Sequence, residues 1–432
     1  MTKRILKLSF IFLTLIIFFF IFLISKRAVN LLAGRINLVN FNKTDYKQQA
    51  YKFNFTPNPI AKDKNGYTTI LLVGVDTRAH THLFNTDTIM TLTYSWKDHK
   101  AFLISYPRDL YVKYPDTYYH FKINAVASYG KRVFNQEPLT YLEKAITQIS
   151  GLTIQYHVLI DFKGFTDLVN QLGGVKIYIP RAFTDHMYPT ERGGWQTIKF
   201  TKGWHTLNGD LALKYARSRH ALGPEGSDFA RAKRQQLIIK AIMNQTKDKI
   251  KKDPAWAFRT FQKLISYVQA SKISPNELKA GLNVFLKKGM PKIYSIVLTP
   301  ATAKGTLLMS QANPLYIIVP RAGIDNWQSI KNYIQLYLKY PETITKEPTI
   351  SIAYTNPNKL ATALTIYNKL KNTFYWLYIY YPKLNTNKLD TNIIKYKSGF
   401  KGSAEEINNL LKLNAKLLED KTQKSSISIY IK

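Results

Sequence analysis

Two stretches of this 432-residue chain concentrate side chains that could handle phosphate. In the first, Asp76 directly follows the apolar run TILLVGV (69–75), Arg78 lies two residues on, and Asp87 stands just ahead of the next apolar run. Two carboxylates bracketing one loop suit Mg²⁺, which takes one or two carboxylates and completes its shell with water and phosphate oxygens. Taken singly, each Asp would serve equally well as a turn or helix cap. The second stretch reads YARSRH (215–220) and then DFARAKRQQ (228–236). In an extended segment Arg217 and Arg219 point to one side. On a helix Arg231 shares a face with Arg234 and Gln235. Guanidinium groups fork onto phosphate oxygens, whereas lysine offers only a point charge. Arginine gathered in one segment of a chain whose excess charge is mostly lysine is therefore selective, although a solvated basic helix face is the plainer alternative. Several arginines beside a two-carboxylate magnesium site are equipment for a diphosphate, whose charge they would neutralise as a P–O bond breaks.

These residues sit at the ends of short regular elements. Apolar runs at 69–75, 88–94, 101–105, 154–161 and 175–180 read as strands. Segments 141–149, 162–172, 208–215 and 228–244 read as helices, the second closed by Gly173 and Gly174. Arg108 and Asp109 (PRD, 107–109) end the third strand, and Lys122 with Asn124 (KIN, 122–124) opens the next helix. The pattern predicts an α/β fold, a mixed sandwich with a central sheet flanked by helices. Two Lys-rich amphipathic helices follow at 253–287, then a strand at 292–300 and a linker near 341–347. The tail reads as a small α+β domain: strands at 349–354, 374–381 and 391–396, helices at 358–371 and 404–413, and a strictly alternating ISIYI at 427–431.

Composition narrows the partners. Cysteine is absent, which excludes a disulfide framework, a thiolate nucleophile and any Cys-ligated metal. The formal charge of +35 favours a polyanion, whether nucleic acid, anionic lipid or a phosphate-bearing polymer. Residues 8–25 carry no charge, lie between Lys7 and Lys26, and would reach about 27 Å as a helix, close to a bilayer's hydrocarbon thickness. With no small-residue cleavage site, they read as an uncleaved signal anchor. The flanking charges place the N-terminus in the cytoplasm and the body outside a cell membrane crossed once, so nucleic acid is an unfavoured partner. The expected organisation is a cytoplasmic end and anchor at 1–27, a stalk at 28–65, a catalytic domain at 66–340 with its motifs in 66–245, and a C-terminal domain at 347–432.

The order LLVGVDTR (71–78), DT (87–88), PRD (107–109), KINA (122–125), DFKGF (161–165), GGV (173–175), LNG (207–209), AL (212–213) and RSR (217–219) resembles the LytR-CpsA-Psr family. The helix carrying Asp228, Arg231, Arg234 and Gln235 completes the likeness. The tail resembles, more weakly, the LytR-type C-terminal domain. Members move a glycopolymer such as teichoic acid or capsule from a polyprenyl diphosphate carrier to peptidoglycan, leaving a phosphodiester. The resemblance implies that Asp76 and Asp87 hold Mg²⁺, and that Arg108, Lys122, Arg217, Arg219 and Gln235 grip the diphosphate. It places Arg78, Arg231 and Arg234 at the border, and Asp109 as orienter of Arg108 or proton acceptor. Arg108, Asp109, Arg217 and Arg219 are the catalytic candidates. A lipid tunnel between the helices at 141–172 and 229–245 is also implied. One departure is visible: the family's R-S-D-T reads Asn85, Thr86, Asp87, Thr88 here, and an amide cannot supply that charge. Three other functions fit parts of the pattern: a lipid-diphosphate hydrolase, a non-catalytic glycan or wall binder, and a nucleic-acid-binding attenuator.

Overall fold

The computed structural model describes residues 60–75, 85–135, 137–190, 193–252, 268–270, 289–312, 314–385 and 389–432. The expected anchor, nearly all of the stalk, Asp76 and Arg78 lie outside them, as do most of the helices expected at 253–287. Among the described residues no helix is long and apolar enough to cross a membrane. The chain forms two compact units, one up to Leu298 and the other Thr299–Lys432.

The first unit is built on a six-stranded sheet. Its strands are β1 (Tyr67–Val75), β2 (Thr86–Ser95), β3 (Lys100–Ser105), β6 (Tyr156–Asp161), β11 (Val268–Ala270) and β12 (Lys292–Val297), in the order β11-β6-β1-β2-β3-β12. Strands β1, β2 and β3 form an antiparallel meander, and β6 and β12 join β1 and β3 in parallel. Helices follow the expected segments: α1 (Val126–Phe134), α2 (Pro138–Ser150), α3 (Phe162–Gln171), α4 (Gly209–Arg217) and α5 (Asp228–Lys252). Residues 268–270, expected within a helix, are instead the edge strand β11, paired with β6.

Alternation along β6 shows that both sheet faces are covered. Val158 packs with Leu168 of α3 and Ile238 of α5. The neighbouring His157 points the other way, and its Nδ1 lies 2.7 Å from the Glu143 carboxylate of α2. The expected sandwich is therefore present, with α2 on one face and α3, α4 and α5 on the other. Three two-stranded antiparallel pairs are not evident in the sequence: the hairpins β4 (Tyr111–Lys113) with β5 (His120–Lys122) and β8 (Phe183–Pro189) with β9 (Trp195–Phe200), and β7 (Val175–Ile179) with β10 (Gly203–Leu207), between which the β8–β9 hairpin is inserted. Only β7 was anticipated among their strands.

Several motif residues prove to be fold devices. Asp161 caps α3 by accepting the Gly164 amide at 2.8 Å, and Asn208 caps α4 by accepting the Leu211 amide at 2.9 Å. Gly209 has no Cβ because one would sit 2.3 Å from the Thr166 carbonyl oxygen of α3. Its amide donates to the Asn170 side chain.

The second unit holds the hairpin β13 (Leu308–Gln311) and β14 (Ile317–Pro320), then α6 (Gln328–Lys339) and α7 (Pro341–Lys346). A five-stranded sheet follows, built from β15 (Ile350–Tyr354), β16 (Lys383–Leu384), β17 (Ile393–Tyr396), β18 (Lys416–Glu419) and β19 (Ile427–Ile431), with α8 (Leu360–Thr373) and α9 (Lys401–Leu411). The linker expected at 341–347 is the buried helix α7. The Glu406 carboxylate of α9 accepts the exposed-end amides of Glu342 and Thr343 at 3.0 and 2.8 Å, so α7 is docked. Tyr333 and Tyr340 likewise pack on Trp376 and Phe374, which ties 299–340 to the tail. The strand expected at 374–381 is an irregular aromatic turn, with a single bridge from Ile379 to Ile350.

Candidate functional site

The candidate site forms where β2, the segment after β3, the end of α4 and the start of α5 converge. Asp87 is the second residue of β2. Arg108 leaves the end of β3 and bridges two carboxylates: its Nη1 donates to Asp87 Oδ1 at 2.8 Å, and its Nε lies 2.8 Å from Asp228 Oδ2. Asp109 lies 3.7 Å from the same Nε through Oδ2, and its Oδ1 receives Lys122 Nζ at 2.6 Å. The backbone explains why PRD and KIN belong together, since the Asn124 amide donates to the Arg108 carbonyl and the Ile123 amide to that of Leu110. Arg231, one turn into α5, closes the ring by donating to the Asp87 carbonyl at 3.1 Å, with Asp228 3.5 Å away. Asp228 sits in the first turn of α5, where a carboxylate is favoured by the helix dipole.

Arg217 and Arg219 approach from α4. Arg217 is the last residue of that helix, not part of an extended segment. Its Nη1 donates to the Tyr188 hydroxyl at 2.9 Å, and its guanidinium lies 4.4 Å from the centre of the Phe162 ring. The turn behind it is fixed by Asp185, a fully buried carboxylate. Asp185 Oδ2 accepts the Ser218 hydroxyl at 2.6 Å and the amides of Arg219 and His220 at 3.2 Å each. Burial alone would raise the Asp185 pKa. The donors Ser218, His220, Met187 and Arg219 outweigh it, so the net shift is downward.

Arg231 and Arg234, expected on one face, are separated. Gln235 joins Arg231 at the site, where its amide nitrogen donates to Thr88 Oγ1 at 2.9 Å. Arg234 is only 2% exposed and faces inward. It donates to the carbonyls of Tyr215 and Ser218 and to Glu225, and lies over the Phe183 ring. That placement makes it a positioning residue for the 215–225 loop. The same loop needs Gly226, where a Cβ would collide with the Ala221 carbonyl.

Two cavities meet here. A polar one of about 300 Å³ is lined by Asp87, Arg217, Arg219, His220, Arg231 and Trp195, among others. An apolar one of about 180 Å³ runs between the sheet, through Leu72, Met90 and Val158, and the helices, through Phe165, Ile239 and Ile242. Both are lined by Thr88, Phe162, Arg217 and Gln235, so the two are adjacent. The helices lining the apolar cavity are α3, α4 and α5. Helix α2, expected there, lies across the sheet.

Electrostatics favour an anion in the polar cavity. Burial lowers the Arg231 pKa, Arg108 and Arg219 push the same way, and Asp228 and Asp87 only partly offset them. For Arg108 burial also acts to lower, but Asp228, Asp87 and Asp109 prevail and raise it. Of the two carboxylates expected to hold Mg²⁺, Asp87 alone lies among the described residues; it lines the polar cavity, is 36% exposed and accepts from Arg108, and is a hard oxygen donor of the kind Mg²⁺ takes. Among the described residues no three His, Asp or Glu side chains gather to hold a metal by themselves. Asp185, Tyr188 and Trp195 are absent from the sequence-based candidates because β8 and β9 are not read as a hairpin there; the Gly193-Gly194 pair between them is the available signal.

Comparison with known proteins identifies the family. The "Regulatory protein MsrR" of Staphylococcus aureus is 30% identical over 199 residues, which is 46% of this chain and 53% of that protein. The "Polyisoprenyl-teichoic acid--peptidoglycan teichoic acid transferase TagU" of Halalkalibacterium halodurans is 31% identical over 178 residues, 41% of this chain and 53% of its own. The corresponding TagT of Bacillus subtilis is 29% identical over 183 residues, 41% and 52% respectively. The chain thus spans about half the length of these curated relatives. The LytR_cpsA_psr family model matches residues 31–270, more than half of the chain and every element of the candidate site, and the protein belongs to that family.

Proposed function

We propose that this protein is a phosphotransferase that moves a glycopolymer from a polyprenyl diphosphate carrier to peptidoglycan. The observation that carries this is the junction of the two cavities. Arg217 and Gln235 line both a basic, polar cavity and the apolar one beside it, an arrangement that suits a diphosphate with an apolar chain attached. TagT and TagU, by their names, transfer teichoic acid to peptidoglycan, which supports the same substrate class here.

In this reading the carrier's chain enters between the sheet and α5, and its diphosphate lies against Arg217, Arg219 and Arg231. Arg108 borders it, held at a fixed angle by Asp87 and Asp228. A sugar hydroxyl of the acceptor attacks the phosphorus nearer the glycan. The new P–O bond forms as the bond to the bridging oxygen breaks, and polyprenyl monophosphate leaves with that oxygen. Asp109, positioned by Lys122, takes the hydroxyl proton. Asp87 together with Asp76 would hold Mg²⁺, which supplies charge neutralisation for the diphosphate when bound. Arg234 and Asp185 shape the loop that presents Arg217 and Arg219. An anchor at 8–25 would keep the site outside the membrane, near the lipid carrier.

The test is incubation of the full chain with a polyprenyl-diphosphate saccharide, Mg²⁺ and peptidoglycan oligomers, with products read by mass spectrometry. Saccharide joined to the oligomer through a phosphodiester, and lost in Arg217→Ala, is the expected result. Free phosphosaccharide without an adduct would replace the transferase reading with a hydrolase.

A further inference from the structure

Hairpin β4–β5 carries Lys122, whose ammonium sits on Asp109, but it projects well beyond that contact. Cross-strand partners lie on one face of a hairpin, as do residues two apart on one strand. Lys122 pairs with Tyr111, and His120 with Lys113, so these four share a face. On it the Tyr111 and His120 rings stack at 5.7 Å with 23° between their planes. Further out, Lys113 Nζ lies 5.0 Å from the Tyr118 ring centre, and Tyr118 is 93% exposed. From Asp109 outward the face therefore reads Lys122, Tyr111 with His120, then Lys113 with Tyr118, over about 10 Å of strand.

The fold does not require these rings. The hairpin is held from beneath by Tyr114, which is buried and donates its hydroxyl to the Lys122 carbonyl at 3.0 Å. On the other side Tyr119 stacks on Tyr129 of α1 at 5.5 Å, with a 9° interplanar angle. Tyr111 and Tyr118 are thus presented on a rigid support, so little ordering cost attends a ligand that stacks on them.

We propose that this face is the acceptor subsite: a track that takes an N-acetylhexosamine glycan and leads one of its hydroxyls to Asp109. The proposal rests on the transferase reading above, which demands a sugar hydroxyl at that point. Sugar rings present C–H faces to aromatic rings and hydroxyls to the Lys113 ammonium and His120 imidazole between them. Continuity with Asp109 through Lys122 selects a glycan over a lipid surface, because the track ends at the site and not at an apolar plane.

The test uses the full chain and an N-acetylglucosamine tetrasaccharide, with binding measured by isothermal titration. In Tyr111→Ala/Tyr118→Ala, affinity for the tetrasaccharide falls about tenfold or more. Binding of the diphosphate donor stays unchanged, and Tyr111→Phe/Tyr118→Phe keeps the wild-type value. Equal affinity in the double alanine variant, no tetrasaccharide binding by the wild type, or loss of anionic-vesicle binding without loss of sugar binding would each overturn the track. Failure of the transferase reading is seen separately: the wild type then binds the tetrasaccharide through Tyr111 and Tyr118 but forms no phosphodiester product from donor and acceptor.

Discussion

The Asp185 carboxylate accepts the Ser218 hydroxyl at 2.6 Å, joining a hairpin strand to the end of α4 across 33 residues of chain. Ser218 lies between Arg217 and Arg219, so this buried bond sets the direction of both guanidinium groups. The two residues touch no expected substrate, yet the basic wall of the polar cavity depends on them.

Replacing Asp185 by Asn removes the charge and faces an amide donor toward the donors it must receive. Stability is expected to fall by about 1.5–3 kcal/mol, measured by denaturant unfolding. The Asp185 pKa is held below its ordinary value of 3.8, so the ionised form stabilises the fold. That contribution is complete above the unfolded-state pKa and is lost as pH falls through the lower folded value. Acid titration of the wild type should show extra loss of stability below about pH 4, and Asp185→Asn should lack that part of the acid response.

Arg231 and Arg234 lie three residues apart and should fail in different ways. Arg234→Ala leaves Glu225 and two buried carbonyls without their donor, and is expected to cost about 3–5 kcal/mol of stability. Arg231→Ala, which leaves one buried carbonyl without its donor, should cost less stability than Arg234→Ala but turn over about 10²-fold slower or worse. Paired unfolding and rate measurements separate the two; equal stability losses would contradict the assignment.

Asn85→Arg adds a cation at an exposed position two residues before Asp87, where the family pattern has Arg. One added charge-assisted bond to a phosphate oxygen should tighten donor binding about tenfold, with little change in affinity for the acceptor oligosaccharide. Titration with a diphosphate donor checks this, and a weaker complex would show that the site is already saturated with positive charge.

Ile242→Trp places a bulky indole ring in the apolar cavity. The Michaelis constant for a long-chain polyprenyl donor should rise about tenfold or more, while that for a donor truncated to one or two isoprene units stays near the wild-type value. A parallel rise for both donors would mean that the chain does not enter between the sheet and α5.

Local sequence determined much of this protein because the relevant forces act over a few residues. Apolar runs ending in turn residues located β1, β2, β3 and β6, and helical patterns located α3 and α4, whose starts are capped by Asp161 and Asn208. The ordered set of short motifs located the family and many of the residues that line the candidate site. Contacts between distant segments were not legible in this way. The run at 341–347 reads as a linker because its polar composition hides the Glu406 carboxylate, 63 residues away, that docks it as a helix. Residues 268–270 become a strand only because β6 offers an unpaired edge. Helical spacing put Arg231 and Arg234 together, yet buried carbonyls of the 215–218 turn draw Arg234 inward and leave Arg231 with Gln235 at the cavity. Asp185 carries no motif at all, and its role exists only once β8 lies against α4. Spacing along the chain gives the side chains that can share a face. Which of them reach the site is decided by the buried donors and acceptors that tertiary packing brings within hydrogen-bond distance, because a buried polar group must be paired.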